Sequence, residues 1–572
     1  MYFPQLSTPR QSRVTVSRFL GLDRRPRGQE GSFREMENLC ADGYPALTVR
    51  RPRGVAGSAA SPGGLTVKDG LIWVDGHTLY INGSAAGLAL SEGRKQLISM
   101  GAWLLIWPDK AYINTKDLTD FGSLENKRVT EGEVSFALCR PDGTVYSGYL
   151  AADEAPEEPE AGSLWLDTGG DETALRQYGE DGWTAVDDVC VRMNAAGIGI
   201  GFTAGDGIAV SGCRETDLNG SFPLRSVEDD YVVVTALPRS LSSQSDPVTV
   251  ERSVPDMDYV VESGNRLWGC KYGIVNGQAV NAIYASKLGD FKNWNCYAGL
   301  STDSYAASRG SDGAFTGAAD YLGNPLFFKE NCVERVYPSA SGAHQIVTVQ
   351  CAGVKSGSSG SLRVVDGKLY YHSQGGVCVF DGSMPVHVSQ ALGEMRYHNA
   401  VAGALDGSYY LSAADENGAW HLLVLDTRQG LWYREDGVEA VGFAPWGGDL
   451  YCLTAAGQLL AMKGSGENRE GPVQWLAETG ELGLDAPESR YLVRLSLRLL
   501  PEADSTVRAW VSYDEGGSWQ PAGSLEGAGR VQACTLHIRP RRCRQLRLRL
   551  TGRGGCRIYS LSAVYEKGSD GP

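Results

Sequence analysis

At 572 residues the chain is long enough for about three to five domains, so core burial is not limiting. The formal charge of −15 argues against a free-standing protein that grips DNA, because neutralising phosphates needs a basic face. No run of 18 apolar residues exists, which excludes a transmembrane helix, and Met1 to Arg27 carries no apolar core of a secretory signal.

Glycine is the unusual component. It makes up 73 of 572 residues, about 13%, against a usual ~7%. With 26 Tyr, 13 Trp and 13 Phe, this composition predicts many short strands joined by tight turns. The 13 cysteines are odd in number, widely spaced and without a CxxC pair. They read as reduced thiols in a core, not as a disulfide or zinc framework.

Residues 1–55 are expected to form an extended arm. Ten arginines, among them Arg24, Arg25 and Arg27, face five acids. One short helix is predicted over residues 31–39, with Ser32 as cap and Glu35 at the capping-box position. An arginine-rich arm without its own core docks onto something else, so these arginines are candidate interface residues.

From about residue 60 a unit recurs: an apolar run, a turn of Asp or Gly with Gly, then an apolar-Tyr run. Copies lie at 71–81, 103–113, 260–268, 321–328, 362–382, 401–411 and 443–453. Asp-Gly and Asn-Gly supply the positive φ of two-residue hairpin turns. A twisted hairpin sheet cannot bury its apolar face alone, so neighbours stack. The expected fold is all-β: a β-propeller of about six or seven blades, with an inserted small β domain and a C-terminal β-sandwich. A stacked array of sandwiches would show the same turns. The propeller is placed at 56–130 and 253–464, the insert at 131–252 and the sandwich at 465–572. Within the insert, residues 153–188 hold twelve acids against Arg176.

In the last segment, residues 491–499 and 546–550 alternate with period two, one face packed and one exposed. Residues 539–557 hold eight arginines and no acid. Arg541, Arg542, Arg544, Arg547 and Arg549 would form a flat cationic face, able to pair with an acidic neighbour such as the 153–188 region of another subunit.

Ser512-Tyr-Asp-Glu-Gly-Gly-Ser-Trp519 matches the Asp-box, S-x-D-x-G-x-x-W, in which the aspartate bonds the turn backbone and the tryptophan packs beneath. Ser512, Asp514, Gly516 and Trp519 carry the full pattern, and Asp290 and Trp294 a looser one. Both read as structural turns, and two copies do not make a sialidase. The seven histidines are isolated, without an H-x-x-x-H or H-E-x-x-H pair, and no G-x-x-x-x-G-K-[ST] occurs. No catalytic residue, metal site or cofactor site is expected.

Residues 19–39 (Phe-Leu-Gly-Leu-Asp-Arg-Arg-Pro-Arg-Gly through Glu-Met-Glu-Asn-Leu), 42–47 and 50–54 resemble structural proteins of tailed phages and prophages. So do Asn265-Arg-Leu-Trp268, Ile283 to Trp294 and Phe327-Phe-Lys-Glu-Asn331. The combination is similar to the propeller core of podovirus tail nozzle and packaged-DNA stabilisation proteins. The resemblance implies a non-enzymatic virion component, assembled in the bacterial cytoplasm as a homo-oligomeric, hexameric ring. Such a ring would meet an adaptor or portal and other tail proteins, let double-stranded DNA pass without specific binding, and insert in no membrane. Acidic walls would let DNA slide. A receptor- or glycan-binding tail protein and a cellular propeller scaffold are the competing expectations.

Overall fold

A computed structural model describes residues 11–567 apart from 27, 171, 298, 467, 483–489, 514–517, 540–541 and 544–545. Strands make up the regular structure, and the helical residues described are three single 3-10 turns. The chain divides into two compact units: Met1–Lys95, Phe328–Val333 and Val349–Pro572 in one, Gln96–Phe327 and Glu334–Thr348 in the other.

The fold class is a β-propeller with an inserted β domain and a C-terminal β-sandwich. Seven blade-like sheets follow in chain order, and each contains one of the recurrent sequence units. The larger unit holds the first (Pro62–Val67 to Ser84–Ala89) and the fifth to seventh. The turns are made as their sequences demand: Asp366 and Gly367 sit at φ +46° and +76°, Asp406 and Gly407 at +51° and +77°. The seventh sheet runs Ala440–Trp446, Asp449–Thr454, Gln458–Ala461 and then Gly54–Ser58, so it draws its strands from two distant stretches of chain. Its first strand packs on Tyr397–Leu405 of the sixth sheet and on Pro62–Val67 of the first. Gly403 permits the former approach, since a Cβ there would stand 2.6 Å from Phe443 Cβ.

Two sheets form the sandwich. The first runs Leu39–Cys40, Leu47–Val49, Cys556–Lys567, Arg490–Pro501 and Gln532–Leu536, with Gln11–Val16 also paired to Cys556–Lys567. The second runs Phe33–Glu37, Gln474–Thr479, Arg547–Arg553, Thr506–Ser512 and Gln520–Glu526. Period-two alternation holds. Leu495, Leu497, Leu499, Leu548 and Leu550 are buried in one cluster with Met36, Leu39 and Trp475. The helix expected over 31–39 does not form. Phe33–Glu37 is a strand, because Phe33 and Met36 are buried there in a sheet that would otherwise end at Gln474–Thr479. Tertiary burial outweighs the local capping signal. The arm is likewise not a free extension: its residues 11–49 supply four strands to the sandwich.

The smaller unit holds the second sheet (Gln96–Met100 to Phe121–Ser123), the third (Tyr259–Ser263 to Tyr305–Ser308), most of the fourth, and the insert. The insert is a seven-stranded sheet from Asn126–Val129 to Ser135–Cys139 plus a small four-stranded sheet, Leu150–Ala152, Leu164–Asp167, Ala174–Gly179 and Gly182–Ala185. They share a core in which Val191, Val210 and Val232 meet Leu166 and Leu175.

Removing residues 1–53 takes four strands from the sandwich, so the shortened chain is expected to be insoluble or rapidly degraded by protease. Met36→Ala alone should cost about 2–5 kcal/mol. A soluble, protease-resistant product lacking residues 1–53 would contradict the pairing.

Candidate functional site

The arginines expected at an interface are engaged inside the chain wherever their side chains are described. Arg24 pairs with Glu35 at 2.9 Å, and Arg25 with Asp23 at 2.6 Å. Arg547 and Arg549 converge on the buried carboxylate of Glu478 at 3.2 and 2.7 Å. Both also lie over the Trp519 ring, Arg549 at 4.1 Å from its centroid. Arg542 lies in the short strand Arg542–Cys543. Arg27, Arg541 and Arg544 lie outside the described residues, as do Asp514 and Gly516 of the Asp-box. Ser512, by contrast, is a buried strand residue.

The looser turn is described in full. Asp290 accepts the Lys292 amide at 3.0 Å and also the side chain of Asn293. Trp294 is buried and donates from its indole to the Phe291 carbonyl at 2.9 Å. Asn293 in turn accepts the Gly207 amide at 2.6 Å, and buried Asp206 pairs with buried Arg252. The turn thus anchors the insert strand Gly207–Ser211 within the smaller unit.

Sequence reasoning missed a polar site built around two buried arginines. Arg50 and Arg53, only 5% and 6% exposed, meet Glu435, Asp436, Glu470 and Asn38. Arg50 reaches Asp436 at 2.6 Å and Asn38 at 2.7 Å, and also pairs with Glu470. Arg53 meets Glu435 at 3.0 Å. Burial works against the Arg50 charge, but Glu470, Glu435 and Asp436 more than offset it and raise its pKa. No local signal joins residues almost 400 positions apart.

A cavity of about 440 Å³ in the larger unit is lined by Asp42, Arg51, Tyr410, Tyr433, Glu435 and Lys463, among others. Burial would lower the Lys463 pKa, yet Tyr410, Asp42 and Cys40 around it raise it, so the ammonium stays charged. A second cavity, about 760 Å³, is lined by His372, His387, Glu394, Arg396 and Tyr397, among others. His387 Nδ1 is 3.4 Å from Cys378, whose pKa burial raises, so this thiol stays protonated and is a poor nucleophile. Ser358 lies 3.2 Å from His372 Nδ1, but it is fully buried and already accepts the Ala400 amide at 3.1 Å. That arrangement braces the fold and does not offer its hydroxyl to a substrate. The twelve cysteines whose surroundings are described are free. Among the described residues no three His, Cys, Asp or Glu side chains cluster as metal ligands, and no helix is long and apolar enough to cross a membrane.

No family model matches the chain, and no curated protein matches it. Among solved structures, the chain is similar to an exo-β-1,3-galactanase from Phanerochaete chrysosporium (9% identity, 53% of this chain and 94% of that one, TM-score 0.21). It is also similar to PorZ of the type-IX secretion system of Porphyromonas gingivalis (12%, 88% and 82%, TM-score 0.25) and to BamB from Moraxella catarrhalis (9%, 66% and 95%, TM-score 0.23). The expectation of a chain that performs no reaction is corrected by these findings. Similar structures include glycoside hydrolases.

Two outcomes follow from the polar interior. Glu435→Ala takes the partner carboxylate from buried Arg53 and should lower stability by about 3–5 kcal/mol, read from urea unfolding. Burial, with Lys355 and His398 nearby, lowers the His372 pKa to about 4. The unfolded chain, with histidine near 6.5, then binds more protons than the folded one between pH 6.5 and 4, so stability falls as pH drops through that window. His372→Asn should flatten that dependence, by about 3 kcal/mol at most. An unchanged slope in urea titrations at pH 7 and 4.5 would contradict it.

Proposed function

We propose that this chain is a virion component of a tailed phage, placed in the tail or neck, where its propeller and sandwich form part of the wall of the DNA exit passage. The observation that carries the reading is the resemblance of residues 19–39, 42–47, 50–54, 265–268, 283–294 and 327–331 to phage tail proteins. Those residues are integral to the fold: Phe19, Leu22, Phe33, Met36, Leu39, Trp268, Phe291, Trp294 and Phe327 are all buried. The resemblance therefore runs through the residues that specify the architecture and is not confined to a surface loop.

Two further properties support the reading. The net charge of −15 suits a wall past which DNA slides, because each neutralised phosphate would add a sticking contact. The reading also calls for copies of the chain to assemble, and such rings close through contacts between unlike surfaces.

Mass spectrometry of purified phage particles from the encoding bacterium tests the proposal. Peptides of this chain are expected in the particles in amounts comparable to the portal protein. Particles that infect normally yet lack the chain would overturn it.

A further inference from the structure

The first sandwich sheet has an outer face that the sequence analysis did not single out. Its strands lie in register: Arg13 opposite Val564 and Arg494, Thr15 opposite Ser562, Ser496 and Thr535, and Arg557 opposite Leu500. Arg498 completes the row beside Ser560 and Ala533. Side chains on one face of a sheet recur every second residue, so these groups all point away from the leucine core. Hydroxyls form a ladder across the middle: Thr15 to Ser562 at 3.0 Å and Ser496 to Thr535 at 3.4 Å.

Arginines flank this ladder on both sides. Arg13, Arg494, Arg498 and Arg557 are all exposed. Among the described residues none of the four forms a salt bridge, and Arg13 donates to the Ser562 hydroxyl at 2.9 Å. The acid in these rows, Glu566, already takes the Gln11 amide at 2.9 Å. This differs from the second sheet, where Glu478 neutralises Arg547 and Arg549. With four arginines to the one carboxylate of Glu566, this flat, hydroxyl-bearing face keeps a net positive charge and is poised for an anionic partner.

The same chain carries a surface of the opposite sign. On the small sheet of the insert and its loops, Asp153, Glu154, Glu157, Glu158 and Glu160 are exposed within eight residues. Asp167 there is already paired with Arg176 at 2.9 Å, the sole base of residues 153–188.

We propose that the arginine face of Arg13, Arg494, Arg498 and Arg557 docks the acidic segment 153–160 of a second copy of this chain. The inference rests on the reading of the chain as an assembling virion component, and names the surfaces that assemble. The contact joins two unlike surfaces, and each copy carries one of each. About six residues of strand length and four strands give a face of roughly 400 Å². That is about half of one partner's share in a standard interface, so the association is weak and salt-sensitive.

Sedimentation velocity of the purified full chain at high micromolar concentration, in low salt and in about 0.5 M NaCl, tests this. The chain should self-associate in low salt and dissociate in high salt. The triple variant R494E/R498E/R557E and the triple variant E154K/E157K/E158K should each associate at least about tenfold more weakly. Both sets of changes are on the surface, and circular dichroism checks that each variant is folded. Mixing the two variants restores opposite charges across the contact and should restore association. A wild-type chain that stays monomeric, variants that associate as well as wild type, or a mixture that fails to associate would overturn the proposal. So would duplex DNA that binds wild type and not the arginine variant, since the face would then serve nucleic acid. Absence from virions would sink the functional reading alone, because the contact is read on the isolated chain.

Discussion

One polar network around two buried arginines fixes where the N-terminal segment sits in the larger unit. Asn38 gives its amide hydrogens to Asp436 and to the Gln474 carbonyl, at 2.8 and 2.7 Å, and its carbonyl oxygen accepts from Arg50 and from the Asp436 amide. Glu470 takes the Arg53 amide at 2.9 Å as well as the Arg50 guanidinium. Three stretches of chain that each belong to a different sheet thereby meet around two arginines. Ion pairs of buried arginines are a poor source of net stability, because desolvation offsets much of the attraction, even with Asp436 and Glu470 reaching solvent. What the network supplies is specificity: any other placement of residues 38–53 leaves buried charges unpaired.

That constraint explains why the first fifty residues are structural. Once Arg50 and Arg53 are fixed, Phe33–Glu37 lies beside Gln474–Thr479, and Gly54–Ser58 beside Gln458–Ala461. Glu35 and Glu37 add an outer layer, pairing with Arg24 and Arg434 at 2.9 and 2.6 Å. The arginines of the N-terminal segment are thus largely consumed in internal bonds. The outer face of the first sandwich sheet, by contrast, keeps Arg13, Arg494, Arg498 and Arg557 exposed.

Most of the architecture was legible because its rules are local. Asp-Gly turns at 366–367 and 406–407 and the period-two leucines of 491–499 announce hairpins and a half-buried strand in a few residues each. The Asp290 turn with Trp294 was readable for the same reason. The 31–39 segment misled, since Ser32 and Glu35 are good capping residues while the partner strand that claims Phe33 and Met36 lies over 400 positions away. The Arg50 and Arg53 network was invisible for the same physical cause, and so was the neutralisation of Arg547 and Arg549 by Glu478. Charge composition reveals that arginines are plentiful. It does not tell which carboxylate each one meets.

Hydrogen–deuterium exchange resolved by peptide tests the central claim, that residues 33–58 are locked into the fold by this network. Peptides covering 33–40 and 47–58 should be as strongly protected as those covering 474–479 and 556–567, and should open together with them when Glu435 is replaced by alanine. Fast exchange of 33–58 beside a protected 474–479 would show that the segment is not held there, and the account would fail.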